Sequence, residues 1–244
     1  MSNDFAQLDP APMASANTRW YYIGFLVSSL VVTLVYCWYV RPDLRFWDGM
    51  VTHGDPGRRT VALTFDDGPH PLWAPLLADT LERHGAHGTF MLVGMEAQRY
   101  PELTARLVRG GHQLANHSMT HPYPNLTAFN NTRIAKEVQD GNRVLERFTG
   151  QLIYDFRPPG GGINNGVLEE VKRQGMRIAW WSASAADAES PSPGGTYYRL
   201  QMSLRPGAVE LMHERDNTVL TLEHFLTNDH RNFKYETFTE VTGR

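Results

Sequence analysis

The sequence has little cysteine and little charge. Cys37 is the only cysteine in 244 residues, so no intramolecular disulfide can form and report on the compartment. Charged residues make up 20% of the chain, its formal net charge is −3, and no basic block occurs. A nucleic-acid partner is therefore not expected, and a neutral or weakly charged substrate fits better than a polyanion.

Internal repeats and low-complexity segments are also absent from the sequence. The length suits one sizeable domain with a short extra segment. Composition predicts a disordered tail at 1–19, a transmembrane helix at 20–40, a linker at 41–57 and a catalytic domain at 58–244. The oligomeric state is left open.

The predicted transmembrane helix rests on one uncharged run at 21–40. Its 20 residues are enough to cross the hydrocarbon core of a bilayer, and Trp and Tyr at both ends are typical of membrane interfaces. A buried core helix is the alternative. We expect a single-pass membrane anchor with an extracytoplasmic catalytic domain, although Arg41 and Arg45 after the run favour the opposite orientation.

Short apolar runs alternate with helical patterns from Thr60 onward, which predicts a parallel sheet, open or closed into a barrel. In barrels of this kind, reactive residues gather at the C-terminal ends of the strands. The predicted strands are Val61–Phe65, Gly88–Val93, Gln113–Asn116, Ile153–Arg157, Arg177–Ser182, Val209–His213 and Lys234–Thr239. The predicted helices are Leu72–Arg83, Pro101–Arg109, Thr132–Phe148 and Asn165–Arg173.

Two adjacent carboxylates, Asp66 and Asp67, follow the first predicted strand and precede Gly68-Pro69. Neighbouring side chains at a strand end point in different directions. One aspartate can therefore bind a cation while the other reaches a water molecule beside it. The alternative is an ordinary Asp-Gly turn.

Two histidines, His117 and His121, share a face if their segment makes a helical turn. Together with Asp67 they supply an Asp-His-His set with open positions, as a catalytic metal site requires. Zinc in such a site polarises a carbonyl and lowers the pKa of bound water to about 7. The alternative is a pair of surface histidines without a ligand.

Four ordered motifs in the chain resemble those of the NodB-type polysaccharide deacetylases, carbohydrate esterase family 4. They are TFDDGP at 64–69, HSMTHP at 117–122, RPPGG at 157–161 and LMH at 211–213. The resemblance covers roughly residues 58–241. It implies a distorted (β/α) barrel of the NodB type, with seven parallel strands, after the transmembrane helix.

The resemblance also implies the parts of the metal site. Asp66 matches the catalytic base, and Asp67, His117 and His121 match the three metal ligands. The metal is divalent, with zinc as the first choice. Arg157 matches the arginine that orients the base; on its own it would be a surface arginine at a strand end.

Further roles follow from the same resemblance. His213 matches the general acid that protonates the leaving amine, and Asp187 matches the aspartate that orients it. Gly160 lies where the family donates a backbone N–H to the oxyanion. Pro159 and Leu211, in the same motifs, are expected at the substrate site. Taken alone, His213 would be an ordinary core histidine.

One motif departs from the family pattern. Ser184 and Ala188 stand where the family has an aspartate and a tryptophan. The loss of the tryptophan removes part of one pocket wall, and the loop Glu189–Gly195 can reshape the groove there. This departure puts the identity of the substrate in doubt more than the reaction.

The leading interpretation is a metal-dependent hydrolase that removes N-acetyl groups from a sugar polymer such as peptidoglycan, an exopolysaccharide or chitin. An amidohydrolase of the same fold acting on a small molecule or a lipid-linked sugar is the first alternative. A non-catalytic carbohydrate-binding protein ranks below both, because the expected base, ligands and acid are all present.

Overall fold

The computed structural model describes residues 16–40, 49–189 and 192–243. The chain divides into two compact units, Met1–Leu44 and Arg45–Arg244. The described strands are β1 (Met50–Val51), β2 (Thr60–Gly68), β3 (Thr89–Leu92), β4 (Gln113–Asn116), β5 (Asp155–Phe156), β6 (Arg177–Ala179), β7 (Ala183–Ser184), β8 (Val209–His213) and β9 (Lys234–Glu236). The described α-helices are α1 (Ala16–Val40), α2 (Trp73–Arg83), α3 (Gly94–Arg99), α4 (Pro101–Arg109), α5 (Asn131–Thr149), α6 (Asn165–Arg173), α7 (Pro193–Ser203), α8 (Asp216–Asn228) and α9 (Phe238–Thr242).

The prediction of a transmembrane helix at 20–40 is wrong. The helix forms as α1, yet no helix in the described ranges is both long enough and apolar enough to cross a membrane. Residues 1–15 of the predicted tail and 41–48 of the predicted linker lie outside the described residues. Of the remainder, residues 16–19 belong to α1 and residues 50–51 form β1.

The nine strands form one sheet in the order β1-β6-β5-β4-β3-β2-β8-β7, with β9 beside β2, and every strand pair is parallel. Only three residues separate β6 from β7, although the two lie near opposite edges of the sheet. Such a link spans at most about 15 Å. The sheet must therefore curl until its edges approach each other, which makes an α/β half-barrel.

The predicted count of seven strands is wrong, because β1 and β7 are additional. Each of these strands has only two residues, too few for a hydrophobic pattern to be recognised. The predicted strand at 234–239 is shortened to β9, since the capping box of Thr237 and Glu240 starts α9 there. The helices α3, α7, α8 and α9 were not predicted.

Side chains alternate between two faces of the curled sheet. On β2, Val61, Leu63 and Phe65 pack outward against the helices, whereas Ala62 packs inside with a smaller cluster that includes Val209 of β8. The side chains of α9 that join this inner cluster belong to Phe238 and Val241. The alternation directs polar side chains at the ends of β2 and β8 to the inner face of the half-barrel.

Candidate metal centre and active site

Asp66 and Asp67 lie at the C-terminal end of β2 and point in different directions, as their adjacency predicts. Asp66 is 5% exposed and follows the inward alternation of the strand. Asp67 adopts a left-handed φ of 73°, and its side chain is 42% exposed. This conformation is uncommon outside glycine, but aspartate tolerates it better than most residues. The backbone turn at Asp67 therefore separates the two carboxylates.

The histidine pair lies at the end of β4, the third strand along the sheet from β8. The segment forms no helical turn; Ser118 and His121 instead have left-handed φ angles of 69° and 51°. The Ser118 hydroxyl oxygen accepts a hydrogen bond from the backbone N–H of His121 at 3.0 Å. This irregular turn brings the ring centroids of His117 and His121 to 5.1 Å.

Asp67, His117 and His121 form a cluster suited to a metal ion. Their potential ligand atoms all lie within 4.8 Å of one another. Asp67 Oδ1 is 3.4 Å from His117 Nε2 and 3.1 Å from His121 Nε2. Ligands about 2.1 Å from a tetrahedral zinc ion would be about 3.4 Å apart. The donor set and its spacing therefore fit a metal ion.

Electrostatics in the cluster also favour a cation. Burial raises the pKa of Asp67, but hydrogen bonds with His117 and His121 and charge interactions with His117 and His213 outweigh it, so the net pKa lies well below its ordinary value. The hydrogen bond with Asp67 raises the pKa of His121 despite partial burial. His117 Nδ1 donates to the carbonyl of Arg157 at 2.7 Å, which leaves Nε2 free to bind a metal.

Arg157 is fully buried and contacts several parts of the site. Its Nη1 donates to Asp66 Oδ1 at 2.6 Å and to Thr64 Oγ1 at 2.9 Å. Its Nε donates to the carbonyl of Ala179 at 2.8 Å. The same residue thus holds the Asp66 carboxylate through its side chain and His117 through its backbone.

His213 and Asp187 form a second charged pair. Nδ1 of His213 lies 2.9 Å from Asp187 Oδ1, and the His213 backbone N–H donates to Oδ2 at 2.6 Å. The Thr218 hydroxyl also donates to Oδ2, at 2.6 Å. Burial lowers the pKa of His213, but the Asp187 hydrogen bond and the nearby carboxylates outweigh it and raise that pKa to about 9. The imidazole is therefore protonated at neutral pH.

The base and acid candidates lie side by side. Asp66 and His213 are register partners in the β2–β8 pair, and Leu211 shares the inner face of β8 with His213. Pro159 is buried and Gly160 is exposed on a 3-10 turn that follows β5. No described contact joins Gly160 to the metal cluster, so its role stays a prediction.

The altered fourth motif has its own local structure. Ser184 lies on β7 opposite Leu211, and its hydroxyl accepts a hydrogen bond from the backbone N–H of Ala186 at 3.2 Å. Ala188 is exposed. Residues 190 and 191 of the predicted groove-shaping loop lie outside the described residues.

Glu137 of α5 is a residue that the sequence did not point to. It is 1% exposed, and its two carboxylate oxygens accept the backbone N–H and the hydroxyl of Thr120, each at 2.8 Å. Thr120 lies between the two histidines, so Glu137 fastens their turn to α5. The histidine motif contains no signal for a partner 17 residues later.

Thr64 and Thr218 were also missed as supporting residues. Thr64 lies two residues before Asp66 on the same face of β2, so strand periodicity offered a signal for it. Thr218 lies in α8, a helix that was not predicted, and the sequence therefore offered no signal for it.

Comparisons with known proteins agree with this geometry. The polysaccharide deacetylase family profile matches residues 53–179. A peptidoglycan-N-acetylglucosamine deacetylase of Bacillus cereus is 29% identical over 201 residues, 79% of this chain and 93% of that protein. A chitooligosaccharide deacetylase of Bradyrhizobium sp. is 34% identical over 164 residues, 66% of this chain and 74% of that protein.

A solved structure of a carbohydrate esterase family 4 pseudoenzyme from Bacillus anthracis is also similar, with a TM-score of 0.73 and 25% identity over 80% of this chain and 69% of that one. Taken together, the profile and the relatives show that this chain belongs to the polysaccharide deacetylase family. The prediction of a metal-dependent polysaccharide N-deacetylase is confirmed at this level.

Proposed function

We propose that the protein is a zinc-dependent deacetylase that removes the N-acetyl group from N-acetylglucosamine units of a glycan polymer. The observation that supports the proposal most directly is the Asp67, His117 and His121 cluster, which lies beside the Asp66–Arg157 pair. Two imidazole nitrogens and one carboxylate suit zinc. Zinc bound there would polarise the acetamide carbonyl and promote ionisation of water.

Asp66 acts as the general base and accepts a proton from the attacking water. One of its oxygens is held by Arg157 at 2.6 Å, while the other lies 3.8 Å from His117 Nε2. The Arg157 hydrogen bond fixes the carboxylate at the inner face of the half-barrel. Asp66 is thereby aimed at the position where water and substrate meet.

His213 acts as the general acid and donates a proton to the nitrogen that leaves. Its Nδ1 is engaged by Asp187, so the proton is delivered from Nε2. The raised pKa keeps the imidazolium charged at neutral pH, and the Asp187 pair fixes the ring orientation. Gly160 supplies a backbone N–H to the oxyanion, and Pro159 and Leu211 line the substrate site.

The names of the relatives support the substrate class. They include a peptidoglycan-N-acetylglucosamine deacetylase and a chitooligosaccharide deacetylase, which share N-acetylglucosamine as the modified sugar. Because cell-wall polymers lie outside the cytoplasm, the catalytic domain works in an extracytoplasmic compartment. A compartment-sensitive reporter fused after residue 244 tests this, and a signal from the cytoplasm would contradict it.

Acetate release tests the proposed activity. Purified protein is loaded with zinc and incubated with chitooligosaccharides, peptidoglycan and poly-N-acetylglucosamine, with and without a chelator. We expect acetate from at least one polymer, loss of activity with the chelator and recovery on adding zinc back. Chelator-insensitive release would contradict the metal mechanism, and no release from any polymer would contradict the function.

A further inference from the structure

We propose that His70 and Trp73 form a sugar-binding platform for the N-acetylglucosamine unit next to the one that loses its acetyl group. The inference rests on the proposed function and names a subsite of the same groove. Both rings follow the C-terminal end of β2, and His70 is three residues beyond Asp67. Trp73 is the first residue of α2.

The two rings form a stacked aromatic pair. Their centroids are 5.8 Å apart and their planes differ by 18°, so the imidazole and indole stack with an offset. Both residues are partly exposed rather than buried in the core. The exposed part of this stacked pair can pack against the C–H groups on one face of a pyranose ring.

The imidazole of His70 is held in place before any ligand binds. Its backbone N–H donates to Glu214 Oε2 at 2.5 Å, and its Nδ1 accepts a hydrogen bond from the backbone N–H of Leu72 at 3.2 Å. Glu214 is 6% exposed and follows the acid candidate His213 directly. Glu214 therefore fixes the platform to the end of β8, the strand that contains the proposed proton donor His213.

Gly68 makes room for this arrangement. A Cβ at this position would lie 1.8 Å from Glu214 Oε1, so any larger residue would displace the buried carboxylate. The Glu214 backbone N–H also donates to the carbonyl of Asp66 at 3.3 Å. Glu214 thus joins the loop of His70 to β2 at Asp66.

The tautomer of His70 gives the platform a polar group. Because Nδ1 accepts a hydrogen bond, the neutral ring has its proton on Nε2. Within the described part of the chain, Nε2 of His70 makes no hydrogen bond, and it remains available to a sugar hydroxyl. An aromatic face with one fixed donor is suited to a neutral glycan.

Binding of chitotetraose to the inactive Asp66→Asn variant tests the platform without turnover. In that background, Trp73→Ala should weaken chitotetraose binding about tenfold by calorimetry, whereas Trp73→Phe should stay within about threefold. Binding of the N-acetylglucosamine monomer, followed by NMR, should be unchanged. Leu72→Ala is the matched control, because Leu72 is 61% exposed and lies between the two rings in sequence.

Equal chitotetraose affinity in Trp73→Ala and its parent would overturn the platform, as would equal losses for the tetramer and the monomer. Failure of the parent to bind chitotetraose would overturn it too. Normal binding with no acetate release by the zinc-loaded wild type would instead contradict the proposed function alone.

Discussion

At the scale of single residues, Arg157 links the proposed base to a proposed metal ligand through different atoms. Its guanidinium binds Asp66, Thr64 and the Ala179 carbonyl, while its own carbonyl orients His117. The ammonium group of lysine cannot reproduce the planar arrangement of N–H donors that a guanidinium has. Arg157→Lys should therefore lower kcat about a hundredfold and leave zinc content near one per chain, because the carbonyl remains.

Arg143→Lys is a suitable control for that variant, since among the described residues Arg143 contacts Asp140 alone, in an ion pair whose arginine side chain is 63% exposed. Its kcat should match that of the wild type. Steady-state kinetics and metal analysis on the same preparations check both variants. Full activity in Arg157→Lys would contradict the assigned orientation of the base.

The His213–Asp187 pair predicts the alkaline limb of the pH profile. Asp187 raises the pKa of His213, and the acid works only while protonated, so activity should fall as the pH rises through about 9. In Asp187→Asn the pKa of His213 should drop, and the limb should move about 1–2 pH units toward neutrality. The pH dependence of kcat measures this shift.

Asp216→Asn is the control, because Asp216 is an exposed carboxylate at the start of α8. Its profile should overlay that of the wild type. An unchanged alkaline limb in Asp187→Asn would mean that His213 is not the titrating acid.

At the scale of elements, α5 supports the turn that contains both histidines. Glu137 receives two hydrogen bonds from Thr120, and an amide in its place can accept only one of them. Glu137→Gln should therefore weaken zinc binding about 10–100-fold, as measured by competition with a chelator. The variant should lose zinc affinity before it loses the activity measured at saturating zinc.

Arg133→Ala serves as the matched control for Glu137→Gln. It removes the ion pair between Arg133 and Glu137, whose arginine side chain is 44% exposed, and leaves the Thr120 contacts in place. Zinc affinity should change by less than about threefold. Equal affinities in Glu137→Gln and the wild type would show that α5 does not position the turn.

The elements also show what the sequence could predict. The helices Pro101–Arg109 and Asn165–Arg173 were predicted with the correct bounds, because clear apolar periodicity and terminal glycines mark them. The histidine turn was beyond such patterns, since left-handed residues at Ser118 and His121 produce it. Local propensity does not predict a left-handed backbone conformation for serine or histidine. Tertiary contacts stabilise that conformation at these two residues.

At the scale of the whole molecule, Asp155 joins three parts of the half-barrel. It is 2% exposed and receives hydrogen bonds from Gln113, Arg177 and Thr239, at 2.6, 2.5 and 3.0 Å. These partners lie in β4, β6 and α9. The network therefore fastens α9 to the strands at the end of the sheet opposite the metal cluster.

Asp155→Ala should reduce the free energy of unfolding by about 3–5 kcal/mol, because it leaves Arg177 without its carboxylate. Urea denaturation measures the change. Lys136→Ala, which removes an exposed pair with Asp140, should cost less than about 1 kcal/mol. The folded fraction of Asp155→Ala should keep its kcat, and a loss of activity without a loss of stability would contradict this account.

Across the whole chain, ordered motifs were more informative than composition. Four short motifs indicated the residues that come together at the ends of β2, β4, β5 and β8. The uncharged run at 21–40 instead suggested a membrane span, and that prediction was wrong.

The central claim is that Asp67, His117 and His121 bind the metal while Asp66 performs proton transfer. Metal content and acetate release measured together on two variants test it most directly. His117→Ala should lose zinc and activity together, whereas Asp66→Asn should retain about one zinc per chain and lose at least about 99% of kcat. Substantial turnover by Asp66→Asn, or zinc retained at wild-type affinity by His117→Ala, would contradict the account.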